Sequence, residues 1–172
     1  MKFSKFIILL FIVSSCATVN VNYDYDRETN FSDYKTYSYY SDMETGLSAL
    51  DTKRLFAVLD SALEAKGITY SDSPDFYINI QSMAYENFNN SSVGIGVGGS
   101  GRNVGGGISV GIPVGNSNQN REIVFDFIDE NGRGLFWQAV SDANYNTNAS
   151  PEQREARLKV IVDKVLSGYP PQ

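Results

Sequence analysis

Two apolar stripes at helical spacing, separated by runs that alternate at period two, restrict this chain to very few architectures. Leu55, Val58, Leu59, Ala62 and Leu63 recur at i, i+3, i+4, i+7 and i+8, which is one face of an α-helix. Leu158, Ile161, Val162, Val165 and Leu166 repeat the pattern near the C-terminus. A one-faced helix must bury its stripe against another element. The alternating runs supply that element, because a strand with one apolar face is half of a two-layer packing.

Local signals frame both helices. Asp51 is expected to be the N-cap of the first, and Gly67 the C′ residue that ends it. Ser150-Pro151-Glu152-Gln153 reads as an N-cap, a proline at N1 and a capping-box glutamine. Gly168 is expected to close the second helix, and Tyr169-Pro170-Pro171 to stop it. Five stretches read as strands. They are Val19 to Tyr25, Lys35 to Tyr40, Phe76 to about Phe88, Ile123 to Asp129, and Leu135 to Val140. Asn131-Gly132 between the last two is a hairpin signal. Residues 41–50 read as a loop and Ser73-Pro74-Asp75 as a turn. The expected fold is an α+β two-layer sandwich: a mostly antiparallel sheet of about five strands, with two helices on one face. Residues 19–172 are expected to form that one domain.

Residues 92–116 stand apart, with ten glycines in 25 positions. Val93, Ile95 and Val97, then Ile108, Val110, Ile112 and Val114, alternate with small residues. This spacing predicts a long, flexible hairpin whose second face has little to pack. Such a hairpin could add an edge strand to a partner.

The N-terminus carries an address. Lys2 and Lys5 precede the apolar run Phe6 to Val13, and Ser14-Ser15-Cys16 follows. A charged start, about 7–15 apolar residues and small residues at a cleavage site make a signal peptide. The run is too short to span a bilayer, which needs roughly 20 residues. Val13-Ser14-Ser15-Cys16 resembles the bacterial lipobox, which implies residues 1–15 as leader and lipidation of Cys16, with residues 16–18 as a short tether. Cys16 is the only cysteine. In an exported protein it would otherwise be an unpaired thiol. Ala17, in place of an aspartate, favours the outer membrane. The expected location is therefore the cell envelope, lipid-anchored at the outer membrane and facing the periplasm.

Composition excludes several classes of chemistry. Losing Lys2 and Lys5 with the leader takes the net charge from −6 to −8, which gives no electrostatic support for nucleic-acid binding. The chain has no histidine. It therefore has no Ser-His-Asp or Cys-His nucleophile system, and no Cys/His zinc site. Gly94, Gly96 and Gly99 match the dinucleotide pattern in letters, but no helix follows them in a βαβ unit. No cofactor is expected. Asp126, Asp129 and Glu130 cluster near the hairpin turn and could bind calcium or act as a carboxylate pair. Asp126 alternates with Phe125 and Phe127, however, and the other two are turn residues. Tyr23, Tyr25, Tyr34, Tyr37, Tyr39 and Tyr40 form an aromatic cluster, read mainly as core and its rim. Arg154, Arg157, Lys159, Asp163 and Lys164 read as a solvated helix face.

One series of segments carries a family resemblance. It runs Val21-Asn22-Tyr23-Asp24-Tyr25-Asp26, Phe31-Ser32-Asp33-Tyr34-Lys35-Thr36-Tyr37, Leu63-Glu64-Ala65-Lys66-Gly67 and Pro74-Asp75-Phe76. The glycine-rich middle, Leu135-Phe136-Trp137 and Tyr169-Pro170-Pro171 complete it. In order and spacing it resembles the bacterial lipoproteins known as domain of unknown function 4136. The resemblance implies a lipid-anchored envelope protein and brings no catalytic residues. The expected role is a non-catalytic domain that binds or scaffolds an envelope protein or glycan. The alternatives are a carboxylate-based envelope glycan hydrolase, with two acidic side chains facing across a cleft, and a small-ligand-binding lipoprotein with an apolar pocket between sheet and helices.

Overall fold

The structure, a computed structural model, describes residues 18–86 and 119–172. Cys16 and the glycine-rich stretch 92–116 lie outside the described residues. Strand β1 (Val19–Tyr25) leads through a short 3-10 turn (Phe31–Asp33) to β2 (Thr36–Tyr39). Helix α1 (Ala49–Ala65), β3 (Thr69–Tyr70) and β4 (Phe76–Glu86) follow. Then come β5 (Gln119–Asp129), β6 (Gly134–Tyr145) and α2 (Pro151–Leu166). The described strands form one sheet in the order β1-β6-β5-β4-β2-β3.

That sheet corrects the expected one in two respects: it has six strands, and it is mixed. β1, β6, β5 and β4 pair antiparallel. β2 runs parallel to β4 through Tyr37↔Phe76 and Tyr39↔Ile78, and parallel to β3. The reason is α1. A helix inserted after β2 carries the chain back to its starting end, so the next strands run in the same direction. Period-two alternation is blind to strand direction, and the two-residue β3 is too short to alternate.

Alternation does separate the two faces. Phe76, Ile78 and Ile80 of β4, and Ile123, Phe125 and Phe127 of β5, are buried in one core with Leu55, Leu59 and Leu63 of α1. Leu158, Ile161, Val162, Val165 and Leu166 of α2 join the same core, so both helices cover one face. Consecutive Phe136 and Trp137 are both 1% exposed. A register shift beside Phe127 allows this, since Phe127 pairs with Trp137 but Ile128 with Leu135. The bulge inserts Phe136 as an extra inward residue. It stacks on Tyr34 at 4.1 Å between ring centroids.

The caps and the hairpin hold with one correction, at the start of α1. Ser150 caps α2 with the expected capping box, and Gly67 sits at φ +80° after α1. The N-cap of α1 is Ser48, whose hydroxyl accepts from the Asp51 N–H. Asp51 lies inside the first turn, where a carboxylate complements the helix dipole. In the β5–β6 hairpin the positive φ falls on Gly134 at +74°, after a four-residue turn at 130–133, and not on Gly132. Gly168 follows α2 without a left-handed φ. Its absent side chain matters instead for close approach, because a Cβ there would lie 2.4 Å from the Tyr23 ring.

Candidate functional site

A cleft of about 230 Å³ opens where the N-terminal ends of both helices meet the ends of β5 and β6. Ile123 and Ala143 form its sheet side, and Leu158 and Ile161 its α2 side. Leu47, Tyr145 and Ala149 complete the apolar lining. Three arginines border it: Arg121 from β5, Arg154 and Arg157 from α2. Asp51 is the one carboxylate in the lining among the described residues. In a chain of net charge −6 this corner is locally cationic.

The three arginines are engaged differently. Arg154 is a clamp. It donates to Asp51 Oδ2 at 2.8 Å, to the Thr147 carbonyl at 2.8 Å and to the Ala149 carbonyl at 3.1 Å. This fixes the loop between β6 and α2, and it joins the two helices through Asp51, which also receives Arg54 at 2.7 Å. Burial pushes the Asp51 carboxyl up, but hydrogen bonds from Arg154, Ser48 and Arg54 outweigh it and hold the group below the ordinary carboxylate value. Arg154 is therefore not part of a solvated face, as its place in the charge pattern suggests. Lys159 and Asp163 are, paired one turn apart at 2.7 Å.

Arg121 is the unusual member. Its Nη1 donates to Ser82 Oγ at 2.7 Å and to the Gly46 carbonyl at 3.4 Å. The guanidinium lies over the Tyr145 ring, 4.2 Å from its centroid. Among the described residues its buried Nε has no acceptor. Among the described residues no carboxylate pairs with it. Arg157 donates from Nη2 to the Thr18 carbonyl at 3.4 Å. Thr18, just before β1, is therefore tied to a side chain that lines the cleft.

The family model for a domain of unknown function (DUF4136) matches residues 21–171. The chain belongs to the DUF4136 family. No functionally curated protein matches this DUF4136 chain in sequence. Solved structures share its fold. One is described as a PDZ domain protein from Parabacteroides distasonis, at TM-score 0.59 and 16% identity. The match covers 90% of this chain but 36% of that one, so the DUF4136 chain spans about a third of its length. A PelC dodecamer from Paraburkholderia phytofirmans matches at TM-score 0.51 and 10% identity, over 87% of this chain and 96% of that one. A substituted form of PelC from the same organism matches at TM-score 0.51 and 11% identity, over 87% and 95%. At these identities the likeness concerns the fold.

The acidic residues singled out near the hairpin turn are engaged separately. Asp126 lies on the sheet face away from the helices and accepts from Gln138 Nε2 at 2.7 Å and Asn79 Nδ2 at 3.3 Å. Asp129 accepts from the Tyr34 hydroxyl at 3.0 Å and from the Asn131 N–H at 3.0 Å. Glu130 lies near the Tyr40 hydroxyl and, after burial, helps push that phenol up. Among the described residues no three His, Cys, Asp or Glu side chains converge in a way that could hold a metal ion.

The tyrosine cluster divides as its rim-and-core reading implies. Tyr34 and Tyr37 are buried, Tyr39 and Tyr40 half-buried, and Tyr23 and Tyr25 exposed. Tyr37 and Tyr39 both donate to Asp60 Oδ1, at 2.5 and 2.6 Å. Burial first, and that shared carboxylate second, push both phenols well above their ordinary value.

Sequence reasoning missed Arg121. The available signal was parity: Arg121 shares the inward phase of Ile123, Phe125 and Phe127. A charged residue at an inward phase marks either a paired ion or a site.

Proposed function

We propose that this DUF4136 protein is a lipid-anchored, non-catalytic binding domain of the bacterial cell envelope. In this reading Cys16 holds it at the outer membrane, facing the periplasm, and the arginine-bordered cleft is its binding site. The partner is an envelope component, and no nucleic acid is involved. The observation that carries the reading is the contact between Arg157 and the Thr18 carbonyl at the cleft. Cys16 lies two residues before Thr18, within about 7 Å of it even if fully extended, at roughly 3.3–3.6 Å per residue. A lipid on Cys16 would therefore bring the cleft close to the membrane surface. The small-ligand alternative supports the same site, because it requires an apolar pocket between sheet and helices. The glycan-hydrolase alternative requires two carboxyls facing each other. Among the described residues the cleft lining has one, Asp51, already engaged by two arginines.

The test is radiolabelled palmitate incorporation in cells expressing the wild type or Cys16→Ala. Labelling of the wild type alone, with loss of the variant from the outer-membrane fraction, is the expected result. Equal labelling of both refutes the anchor.

A further inference from the structure

We infer that the cleft binds a single-chain anionic amphiphile, its carboxylate or phosphate on Arg121 and its hydrocarbon chain along Ile123, Ala143, Leu158 and Ile161. This rests on the cleft being the binding site, and it does not depend on the anchor. Three observations converge on it.

The first is the state of Arg121. A guanidinium has five N–H donors in a rigid fork. Among the described residues only Nη1 of Arg121 has hydrogen-bond partners, one a hydroxyl and the other a carbonyl, both neutral. Nε is buried and unmet. A buried donor left without an acceptor is unfavourable, and a half-buried charge without a counter-charge adds to that cost. An anion's oxygens would satisfy both needs at once, since the guanidinium fork matches carboxylate and phosphate geometry. Tyr145 covers one face of the guanidinium plane and holds it in position.

The second is the lining. Beyond the charged groups, Asn144, Asn146 and Gln153 are polar, and the rest of the wall is apolar, chiefly Leu47, Ile123, Ala143, Tyr145, Leu158 and Ile161. A small hydrophilic anion would leave that surface uncovered, whereas an alkyl chain removes it from water. The volume of about 230 Å³ falls just below the roughly 300–1,000 Å³ of pockets for drug-sized ligands. It therefore suits a head group and one short stretch of chain better than a two-chain lipid.

The third is charge complementarity. Among the described residues Arg121 and Arg154 border the cleft against one carboxylate, Asp51, which is already taken up by Arg54 and Arg154. The residual charge at the site is positive in a protein that is acidic overall. The same acidity disfavours general adsorption to anionic surfaces, so affinity for an anion has to come from this corner.

The test is isothermal titration calorimetry on the full chain carrying Cys16→Ala, purified without detergent. The probes are decanoate, decan-1-ol and inorganic phosphate. Decanoate is expected to bind at one site, with the other two at least about tenfold weaker, the loss expected when one charge-assisted hydrogen bond or the chain burial is removed. Arg121→Gln should weaken decanoate by about tenfold or more and leave decan-1-ol unchanged. Ala149→Trp should block both, since Ala149 lines the cleft from a loop, a larger side chain there takes up cleft volume, and its backbone hydrogen bonds can be kept. Equal affinity for decanoate and decan-1-ol overturns the anionic head. Phosphate binding as tightly as decanoate overturns the chain. Decanoate binding that survives both substitutions overturns the site. If Arg121→Gln does not fold, Ala149→Trp and the probe comparison still decide. Because Cys16 is replaced throughout, a failed anchor and a failed site give separate results.

Discussion

Asp51→Asn should be the most informative single perturbation outside the binding site's own cation. The Asp51 side chain is 6% exposed and accepts from Arg54 at 2.7 Å and Arg154 at 2.8 Å, one arginine from each helix. Breaking a fully buried ion pair costs about 3–5 kcal/mol. Here the two arginines retain 21% and 26% of their side-chain exposure, so water can resolvate them. Asparagine keeps the shape and one acceptor oxygen, but turns an amide N–H₂ toward a guanidinium. The expected loss is about 2–3 kcal/mol, the scale of one to two charge-assisted hydrogen bonds. At about 2–4 °C per kcal/mol for a domain of this size, thermal unfolding followed by circular dichroism should shift down by about 4–12 °C. The pH dependence gives a second check. The Asp51 carboxyl is held below its ordinary value in the folded protein. Its contribution is therefore fully present above the unfolded pKa of about 3.9 and lost as pH falls through the lower folded value. The advantage of the wild type over Asp51→Asn should be flat from about pH 8 to pH 5 and shrink under stronger acid. In an Arg154→Gln background the same substitution should cost less. A shift under about 0.5 kcal/mol, within the range of ordinary surface changes, or an advantage that grows on acidification, would refute the reasoning.

Three other outcomes follow from the packing. Gly46→Ala should destabilise by about 3 kcal/mol, because Gly46 sits at φ +70° and an added Cβ would meet the Ser82 carbonyl oxygen at 2.3 Å; a chemical-denaturation midpoint equal to wild type would contradict this. Gly168→Ala should cost less, about 1–2 kcal/mol, since the half-exposed Tyr23 ring can swing aside by giving up its hydrogen bond to the Lys164 carbonyl. Its signature is altered fluorescence of Trp137, which packs beside Tyr23. In alkali, burial and neighbouring carboxylates hold Tyr34 and Tyr40 up at about 12 and Tyr37 and Tyr39 higher still. Raised phenols contribute stability that is present below about pH 10 and lost as pH rises through the folded values. Tyrosinate absorbance should therefore lag behind that of free tyrosine until the protein unfolds, and a single transition near pH 10 would exclude this.

Much of the fold is local, and local features are legible. The capping box at Ser150, the stripe of α2 and the alternation of β5 each depend on residues within a few positions of one another. Asp51 shows where that legibility stops. Aspartate just ahead of an apolar stripe reads as an N-cap, but whether it caps or pairs depends on an arginine 103 positions away. The same holds for Arg154: a charge on a helix is solvated or structural according to what lies opposite. The bulge that brings Phe136 and Trp137 both inward violates the period that reveals strands. No pattern search could have anticipated it.

The sequence by itself determined the classes of element, the inward faces, the family, and the absence of histidine chemistry. These follow from composition and from periods of 2 and 3.6, which act over one or two turns of chain. Tertiary structure alone decided that the sheet is mixed, because strand direction depends on how α1 crosses over. It alone decided where the cleft lies, because Arg121, Tyr145 and Arg157 come from three elements that meet only after the sheet and α2 are assembled. Their juxtaposition is a property of strand register and helix placement, and neither is written in any one segment.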